Sequence, residues 1–446
     1  MVIKYFLVVI ILYVPYVVSN LVFSAQLINT GARFPKNATK SWVTHPGDLT
    51  KIGMRQLYIL GRELRAKYIN TNPGLIQSRY SPQEVQFKAA YTNSSSMISS
   101  GYAFLRGLYS AGSGQFLTDY EAEYAVPPNT RYNYSKYQEE LRDAALTNYL
   151  SAIPVMANVG GPDYLLSAVE HCPAFRDFES KAKDQRASDE ELMKRWEELE
   201  KEAEKTFKEL GELFETHINT TEKFLEYMDY VRAAEYYGEK SVSPECKKVL
   251  EEVYIFRKYT ELFYNKDIAR AVTKNLTEEI FPAMRNAIIH PNDVTRFMTY
   301  FTDDATMFAF LRMFNSHMDI TNAKNISFAS IIRIDVSLQV WDFSTLVRVY
   351  LDNQSIFNGK STEAFIELFK PLMDDKEFKS ICGLTKEKEN EYNDKAWIII
   401  GAICFVVVLA MFIVSWIYVL KIDKPKDEKI LQGSEMKLEE SKEKMI

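Results

Sequence analysis

An apolar segment that runs directly into a glycine-containing turn constrains this chain more than any other feature. Leu21–Ile28 is mostly apolar, and residues 29–35 then read Asn-Thr-Gly-Ala-Arg-Phe-Pro. A continuous apolar run of this length, bounded by a turn signal, predicts a buried strand. In α/β proteins, residues that handle anions stand where such strands end. The sequence therefore predicts an α/β fold with a candidate site at the end of its first strand, around Arg33.

Alternating helix and strand patterns follow this turn. Residues 50–68 carry Ile and Leu side chains at helical spacing, and residues 84–91 have the pattern of a short strand. A Ser-rich turn at 94–96 and a helix ending near Leu108 come next. Strand and helix alternate in this way in βαβ units, so the pattern predicts a largely parallel sheet.

A long amphipathic helix is predicted from Ser188 to Phe214. Ser188 and Glu191 match a capping box, and an apolar stripe separates acidic from lysine-rich faces. The stripe lasts about three heptads, which favours packing on its own domain over a coiled coil with a partner helix. Ile326–Val340 returns to β character, so we expect the sheet to resume after a helical insertion.

Two apolar segments near the ends of the sequence predict a membrane protein. Residues 1–19 have the pattern of a secretory signal peptide. Ala396–Leu420 is 25 residues without a charge, which is long enough to span a bilayer with some tilt. Three lysines among residues 421–426 follow, so the positive-inside rule predicts a cytoplasmic tail at 421–446. The prediction is a type I, single-pass membrane protein.

Asn-x-Ser/Thr sequons are consistent with this topology. Seven occur before the predicted span, and none lies in the tail: Asn37, Asn93, Asn133, Asn219, Asn275, Asn325 and Asn353. Sequons accept glycans on the lumenal or extracellular side of the membrane. We therefore expect a glycosylated ectodomain.

Composition excludes several classes of function. The formal charge is −6, and no basic patch interleaved with aromatic residues is present, so we expect no nucleic-acid partner. The five histidines are dispersed and lack paired carboxylates at metal-ligand spacing, so no metal is expected. The sequence has no phosphate-cradling Gly-rich loop and no Gly-x-Ser-x-Gly elbow. We expect no cofactor.

The four cysteines predict one bridge. Cys404 lies inside the predicted span and is expected to be a small apolar residue there. Cys172, Cys246 and Cys382 would lie in an oxidising compartment, where one disulfide is expected with one thiol left over. Spacing alone does not choose the pair.

Residues 29–35 resemble the Arg-His-Gly-x-Arg-x-Pro signature of the histidine acid phosphatases. Gly31, Arg33 and Pro35 match it, whereas Asn29 stands at the first arginine and Thr30 at the nucleophilic histidine. Residues 47–61 resemble the first helix of that family, Gly-x-Leu-Thr-x-x-Gly-x-x-Gln followed by Leu-Gly. Residues 163–173 resemble its Asp-Tyr-Leu-Leu and Cys-Pro segment. The resemblance covers about residues 21–385.

The resemblance implies a phosphate site whose chemistry is largely missing here. In the family, a histidine attacks phosphorus and arginines hold the phosphate oxygens. The second arginine-bearing segment aligns with residues 90–96, where Ala90 and Ser96 stand at arginine positions and Thr92 matches. A two-residue slip would place Lys88 at the first arginine, without the bidentate fork of a guanidinium.

The family's His-Asp pair, whose aspartate protonates the leaving group, aligns with Asp303-Asp304. Asp304 matches the proton donor and Asp303 replaces the histidine. A threonine nucleophile at position 30 would need an adjacent base. His45 is a candidate for that base, although a surface or structural role is favoured. Arg33 alone faces two carboxylates, so the pocket is expected to be neutral or negative and to repel phosphate, or to be filled by a structural salt bridge.

The resemblance also implies an architecture and a disulfide. The family has an α/β lobe with helices on both sides of the sheet and an inserted, mostly helical cap lobe. In the family the cysteine of the Cys-Pro segment pairs with one near the end of the domain, here Cys172 with Cys382, which leaves Cys246 as the odd thiol. The implied bounds are 20–127 and 266–385 for the α/β lobe, 128–265 for the cap lobe, and 386–395 for a linker before the membrane helix at 396–420.

The function expected from the sequence is that of a pseudophosphatase. Its ectodomain would act by binding or scaffolding an unidentified ligand at the cell surface or in the endolysosomal lumen. The alternative is an acid phosphomonoesterase of reduced or altered activity. A third reading is a purely structural surface glycoprotein. The sequence leaves open the ligand and whether the ectodomain forms a homodimer.

Overall fold

The strand predicted at Leu21–Ile28 lies inside a six-stranded mixed sheet in the computed structural model. The structure describes residues 19–35, 45–91, 95–127, 135–175, 189–239, 241–260, 266–291, 294–314, 326–339, 342–359, 361–384 and 402–417. The strands are β1 (Ser19–Asn29), β2 (Val85–Ala89), β3 (Phe297–Thr302), β4 (Ile331–Gln339), β5 (Thr345–Leu351) and β6 (Gln354–Gly359). Their order across the sheet is β2-β3-β1-β4-β5-β6.

The sheet is parallel in one half and antiparallel in the other, so the prediction of a largely parallel sheet is wrong for its second half. β1 and β2 both pair with β3 in parallel, whereas β1–β4, β4–β5 and β5–β6 are antiparallel. For β5 and β6 the reason is the length of their connection. Only Asp352 and Asn353 separate β5 from β6, and Asp352 takes a positive φ of 53°. A two-residue connection can join only antiparallel strands.

The helices named below lie in the connections between strands, except the last two, which follow β6. They are α1 (Lys51–Tyr68), α2 (Ser96–Leu108), α3 (Asp119–Tyr124), α4 (Ser135–Leu141), α5 (Ala168–His171), α6 (Glu190–Phe214), α7 (Thr221–Leu225), α8 (Met228–Ala234), α9 (Pro244–Lys258), α10 (Lys266–Ile289), α11 (Asp304–Arg312), α12 (Thr362–Glu367) and α13 (Asp375–Ile381). The described residues between α4 and β3 contain no named strand. The predicted helices at 50–68 and near 96–108 are confirmed as α1 and α2.

Helix α6 packs on helices of its own chain, as its apolar stripe predicts. Leu199, Ala203 and Leu210 of α6 join one buried cluster with residues of α7, α8 and α9. Trp196 stacks on Phe256 of α9 with ring centroids 5.7 Å apart. The predicted N-terminus is shifted by one residue. Asp189, not Ser188, accepts the backbone N–H of Leu192 at 3.1 Å, because an aspartate caps a helix as well as a serine does.

Helices α1 and α2 touch through their backbones at paired glycines. A Cβ atom at Gly61 would lie 2.1 Å from the carbonyl oxygen of Phe104, and one at Gly107 would lie 2.1 Å from that of Tyr58. Any side chain at either position would force the helices apart. Since α1 also holds the loop after β1, this close packing fixes the position of that loop relative to α2.

The disulfide implied by the family resemblance is present. Cys172 is bonded to Cys382, with Cα atoms 4.8 Å apart, and thereby connects the end of α5 to the end of α13. The leftover thiol, Cys246, is fully buried in α9. Burial, followed by the charge of Glu209, raises the pKa of that thiol to about 11, so it is held as an unreactive thiol.

Residues Met1–Gly383 and Leu384–Ile446 form two separate units. In the second unit, residues 402–417 are helical and their side chains are exposed. Within the described part of the chain, no helix combines the length and apolar character needed to cross a membrane. Residues 1–18 of the predicted signal peptide, the linker at 386–395, the tail, and both ends of the predicted span at 396–420 lie outside the described residues, whereas Ser19, the last residue of the predicted signal peptide, begins β1.

Gly61→Ala is expected to destabilise the protein by about 1–3 kcal/mol, the usual cost of overpacking, even though alanine favours helices by about 1 kcal/mol over glycine. Gly161→Ala is the matched control, because a Cβ there meets no atom closer than 3.9 Å. Urea unfolding monitored by circular dichroism measures both variants. Equal midpoints for the two variants would contradict the close packing of α1 on α2.

Candidate functional site

The loop that follows β1 is held by the residues of the motif at 47–61. The Thr50 hydroxyl donates to the Ala32 carbonyl at 2.7 Å and accepts from Gly53 N at 3.0 Å, so one side chain caps α1 and fixes the loop. Gln56 Oε1 accepts the N–H of Ala32 at 2.9 Å. A Cβ at Gly31 would lie 2.6 Å from the Gly53 carbonyl oxygen, so only glycine allows this approach. These contacts determine where the Arg33 side chain begins.

Thr30 is buried, and its hydroxyl contacts groups of its own chain. The residue is 2 % exposed, and its Oγ1 donates to the Gly31 carbonyl at 3.1 Å and lies 3.3 Å from Ser100 Oγ. None of these partners is a base. His45, the candidate base, is exposed, and the hydrogen bond described for it is its own carbonyl accepting from Asp48 N. The structure therefore does not bring His45 to Thr30.

Asn29 has a structural role at the end of β1. Its Nδ2 donates to the Ser327 carbonyl at 2.8 Å, and its Oδ1 accepts the backbone N–H of Thr30 at 2.9 Å. Both functional atoms of the amide are thus used within the chain. An arginine at this position would carry a charge toward a ligand, whereas Asn29 connects two loops.

Arg33 forms an ion pair with a residue from the helical segment, residues 190–258, which contains α6 to α9. Its Nη2 lies 2.7 Å from Asp229 Oδ2, and Asp229 belongs to α8. Burial opposes the charge of the guanidinium, but the negative charges of Asp229 and Asp304 outweigh it and raise the pKa of Arg33. The structural salt bridge expected for Arg33 is therefore present, although its partner is Asp229 and neither Asp303 nor Asp304.

Asp303 and Asp304 lie where β3 passes into α11. Asp303 caps the helix, and its Oδ1 accepts the backbone N–H of Thr306 at 2.7 Å. Burial raises the pKa of Asp303 to about 6, and the neighbouring charge of Asp304 adds to this, while the hydrogen bond from the Thr306 amide opposes it. Asp304 Oδ2 accepts the hydroxyl of Tyr254 in α9.

The motif at 163–173 positions this pair of aspartates. Asp163 Oδ1 accepts the N–H groups of Leu165 and Leu166, at 3.1 and 3.0 Å, and so shapes the turn. The Leu166 carbonyl then accepts the hydroxyl of Thr302 at 2.6 Å and that of Thr306 at 3.3 Å. These two threonines flank Asp303 and Asp304, so the motif holds the junction of β3 and α11.

Arg33, Asp303 and Asp304 line one cavity of about 270 Å³. It is lined by Arg33, Met97, Val169, Glu170, Leu225, Glu226, Met228, Asp229, Tyr254, Lys258, Asp303, Asp304 and Ala305. Five carboxylates face two cationic side chains, which gives the lining a formal charge of −3 when all are ionised. The resemblance predicted a neutral or negative pocket, and the helical segment makes it more acidic by adding Glu226 and Asp229.

The described residues of the segment that aligns with the family's second phosphate-binding segment, 90, 91, 95 and 96, do not line this cavity. Ala90 is fully buried, and its backbone N–H donates to the Phe301 carbonyl at 2.8 Å. Lys88 lines a different cavity, of about 570 Å³, where its Nζ lies 2.5 Å from Glu279 Oε1. The alternative alignment, with Lys88 at the first arginine, is therefore not supported. Ser96 is buried at the start of α2, and Thr92 lies outside the described residues.

The site residues that sequence reasoning missed come from the helical segment. Asp229 and Tyr254 stand on short amphipathic stretches, and no local motif distinguishes them from surface residues of the same helices. Their roles depend on how α8 and α9 pack against the loop after β1. Among the described residues, no three or more His, Cys, Asp or Glu side chains form a group suited to a metal ion.

Comparisons with known proteins agree with this architecture. The family profile described as "Histidine phosphatase superfamily (branch 2)" matches residues 18–336. A phytase from Citrobacter braakii has a TM-score of 0.54 and 13 % identity, over 81 % of this chain and 99 % of that chain. The Hafnia alvei phytase bound to tartrate has a TM-score of 0.54 and 11 % identity, over 81 % and 98 % of the two chains. Identities this low indicate a shared fold alone, and no curated protein matched the sequence.

Asp303→Asn is expected to raise the free energy of unfolding at neutral pH by more than it does in acid. The folded pKa of Asp303, about 6, exceeds the unfolded value of about 3.9, so the folded state binds more protons between these values. The contribution of Asp303 to stability is therefore lost as pH rises from about 4 to 6. Asparagine keeps the helix cap without the charge.

The stability difference between Asp303→Asn and the unaltered protein should grow by on the order of 1–2 kcal/mol between pH 4 and pH 7, after allowance for solvent screening. Urea unfolding at pH 4, 5, 6 and 7 measures it. A difference that is constant across this range would show that Asp303 titrates normally.

Proposed function

Because the chain belongs to branch 2 of the histidine phosphatase superfamily, we propose that it is a catalytically inactive member that acts by binding. The observation that carries the proposal is the cavity at the end of β1, where the one retained arginine, Arg33, is neutralised by Asp229. Thr30 occupies the nucleophile position that the resemblance implies. It is buried, and its hydroxyl forms a hydrogen bond with the Ser100 hydroxyl.

The charge of the cavity opposes phosphate. A phosphate in contact with Arg33 would face Asp303, Asp304, Asp229 and Glu170 in the same lining. At about 4 Å and an effective dielectric constant near 20, each like-charge pair costs on the order of 4 kcal/mol before screening. Arg33 and Lys258 together cannot offset the five carboxylates of the lining. Both phosphate affinity and turnover are expected to be lost.

The alternative is an acid phosphomonoesterase of reduced or altered activity. Arg33 and Asp304, the two charged positions of the family pattern that this chain retains, line one cavity, and this observation favours the alternative. Asp303, with a pKa of about 6, loses its charge in acid, which lowers the repulsion toward a phosphate. The phytases of similar fold make a phosphorylated substrate a reasonable first choice for an assay.

We also propose that the protein is a type I membrane glycoprotein of the cell surface or endolysosomal system. The support comes from the uncharged 25-residue segment Ala396–Leu420 and the lysines behind it. Residues 402–417 form a helix whose apolar side chains, among them Phe405, Phe412 and Trp416, are exposed. A helix that is apolar on all faces is suited to a lipid environment.

The implied division at residues 128–265, a helical cap lobe on an α/β lobe, belongs to the same proposal. Its support is the hydrophobic cluster that α6, α7, α8 and α9 form among themselves. A purely structural glycoprotein is the third reading. A screen of soluble and cell-surface ligands against the chain distinguishes it from a binding protein, because only the latter retains a partner.

The unaltered protein is expected to hydrolyse p-nitrophenyl phosphate no faster than a Thr30→Ala control between pH 4 and 7, and to form no acid-labile phosphohistidine. Thr30→His alone should not restore activity, because Asn29, Ala90 and Asp303 still replace charged or catalytic groups of the family. The assay uses full-length chain from a secretory host. Turnover well above that of Thr30→Ala, with an optimum in acid, would support the enzymatic alternative.

Glycan occupancy is expected to differ among the described sequons. Asn219 and Asn353 are exposed, and both should be modified. Asn275 lies within α10, its Nδ2 donates to the Tyr164 carbonyl at 3.0 Å, and Thr277 of its sequon is buried. A glycan on Asn275 would break that hydrogen bond, so this site should be unmodified. Glycopeptide mass spectrometry of protein from its native membrane tests all three, and an occupied Asn275 would contradict the packing of α10 on residue 164.

A further inference from the structure

The Arg33–Asp229 pair fills the position from which a guanidinium would otherwise hold an anion. Arg33 Nη2 contacts Asp229 Oδ2 at 2.7 Å, and the two side chains are 18 % and 29 % exposed. Both line the same cavity, which is open to a ligand of limited size. The carboxylate of Asp229 therefore takes the place beside Arg33 that an anionic ligand would occupy.

The contact with Asp229 uses only some of the hydrogen-bond donors of the Arg33 guanidinium. The Nε of Arg33 is buried and has no hydrogen-bond partner among the described residues, while Nη2 carries the contact with Asp229. A buried donor without a partner costs free energy. A tetrahedral oxyanion can engage Nε and Nη2 together as a bidentate ligand, which the observed contact with a single Asp229 oxygen does not do. Arg33 therefore keeps a hydrogen-bond donor that its contact with Asp229 does not satisfy.

The position of Asp229 is fixed by its surroundings. Met228, Tyr230 and Val231, its neighbours in α8, are buried. Beside this helix, Phe34 stacks on Tyr237 with ring centroids 5.5 Å apart, so the residue after Arg33 is also held against the helical segment. Asp229 is consequently held at Arg33 by packing, and its carboxylate does not depend on the ion pair alone for its place.

We propose that Asp229 is the residue that determines the specificity of this cavity, because it occupies Arg33 and so excludes phosphate and similar oxyanions. The inference rests on the proposed function, since it explains how the retained arginine is prevented from binding phosphate. It goes beyond that function by naming one side chain, supplied by the helical segment, as the carboxylate of the lining that competes directly with a ligand for Arg33. Removal of its charge should expose a latent oxyanion site at Arg33.

The test is a titration of full-length protein with inorganic phosphate at pH 5 and constant ionic strength. Binding is measured by isothermal titration calorimetry and by the broadening of the ³¹P resonance of phosphate. Asp229→Asn should bind phosphate at least about tenfold more tightly than the unaltered protein, because one like charge next to the ligand is gone. Asp229→Glu, which keeps the carboxylate, should behave like the unaltered protein. Asp229→Asn with Arg33→Gln should lose the gained binding.

Glu226→Gln is the matched control. It removes one carboxylate from the same lining, but Glu226 is exposed and has no described contact with Arg33. A smaller gain for Glu226→Gln than for Asp229→Asn supports the proposal. An equal gain would show a general effect of charge and would overturn it.

Thermal melts of each variant show whether it is folded. If Asp229→Asn is folded and binds phosphate no better than the unaltered protein, Asp229 is only a structural partner of Arg33 and the inference fails. If Asp229→Asn does not fold, Asp229→Ser replaces it in the phosphate titration. Folded Asp229→Ser that binds phosphate no better than the unaltered protein also overturns the inference. Failure of the proposed function gives a different result, since the unaltered protein would then hydrolyse phosphomonoesters.

Discussion

The ion pair between Arg33 and Asp229 connects the two parts of the molecule that form the candidate site. Arg33 follows β1, the strand between β3 and β4 in the sheet, and Asp229 stands on a helix 196 positions further along the chain. Loss of either partner would remove the close ion pair and leave the other charge partly buried with weaker compensation, which costs free energy. The position of α8, the shape of the cavity and its acidic character are all linked to this contact.

The retained motifs of the chain now have a structural explanation that does not require catalysis. The residues at 47–61 fix the loop after β1 through Thr50, Gln56 and the close approach at Gly31. The residues at 163–173 hold the junction of β3 and α11 through the Leu166 carbonyl. The same framework can carry a phosphatase site, but here five of the seven charged side chains that line the cavity are acidic. A fold constrains where a site lies, whereas its side chains determine what the site does.

Much of the sheet core could be predicted from the sequence because its signals are local. The apolar run at Leu21–Ile28 marked β1, and the helical spacing at 50–68 marked α1. The antiparallel half was missed, although Asp352-Asn353 is a typical turn pair between two short β-like runs. The cap of α6 was placed one residue early, because Ser188 and Asp189 are both good caps and only backbone geometry chooses between them.

The sequence by itself determined the family framework, the buried strand before the site, and the absence of a histidine at position 30, since each follows from the order of residues along the chain. Through the family resemblance it also gave the Cys172–Cys382 pair. Only the tertiary structure decided the partner of Arg33, the burial of Thr30 against Ser100, and the separation of Lys88 from the site. The physical reason is that charge pairing and burial depend on which distant segments pack together, and no local pattern at Asp229 or Tyr254 records that arrangement.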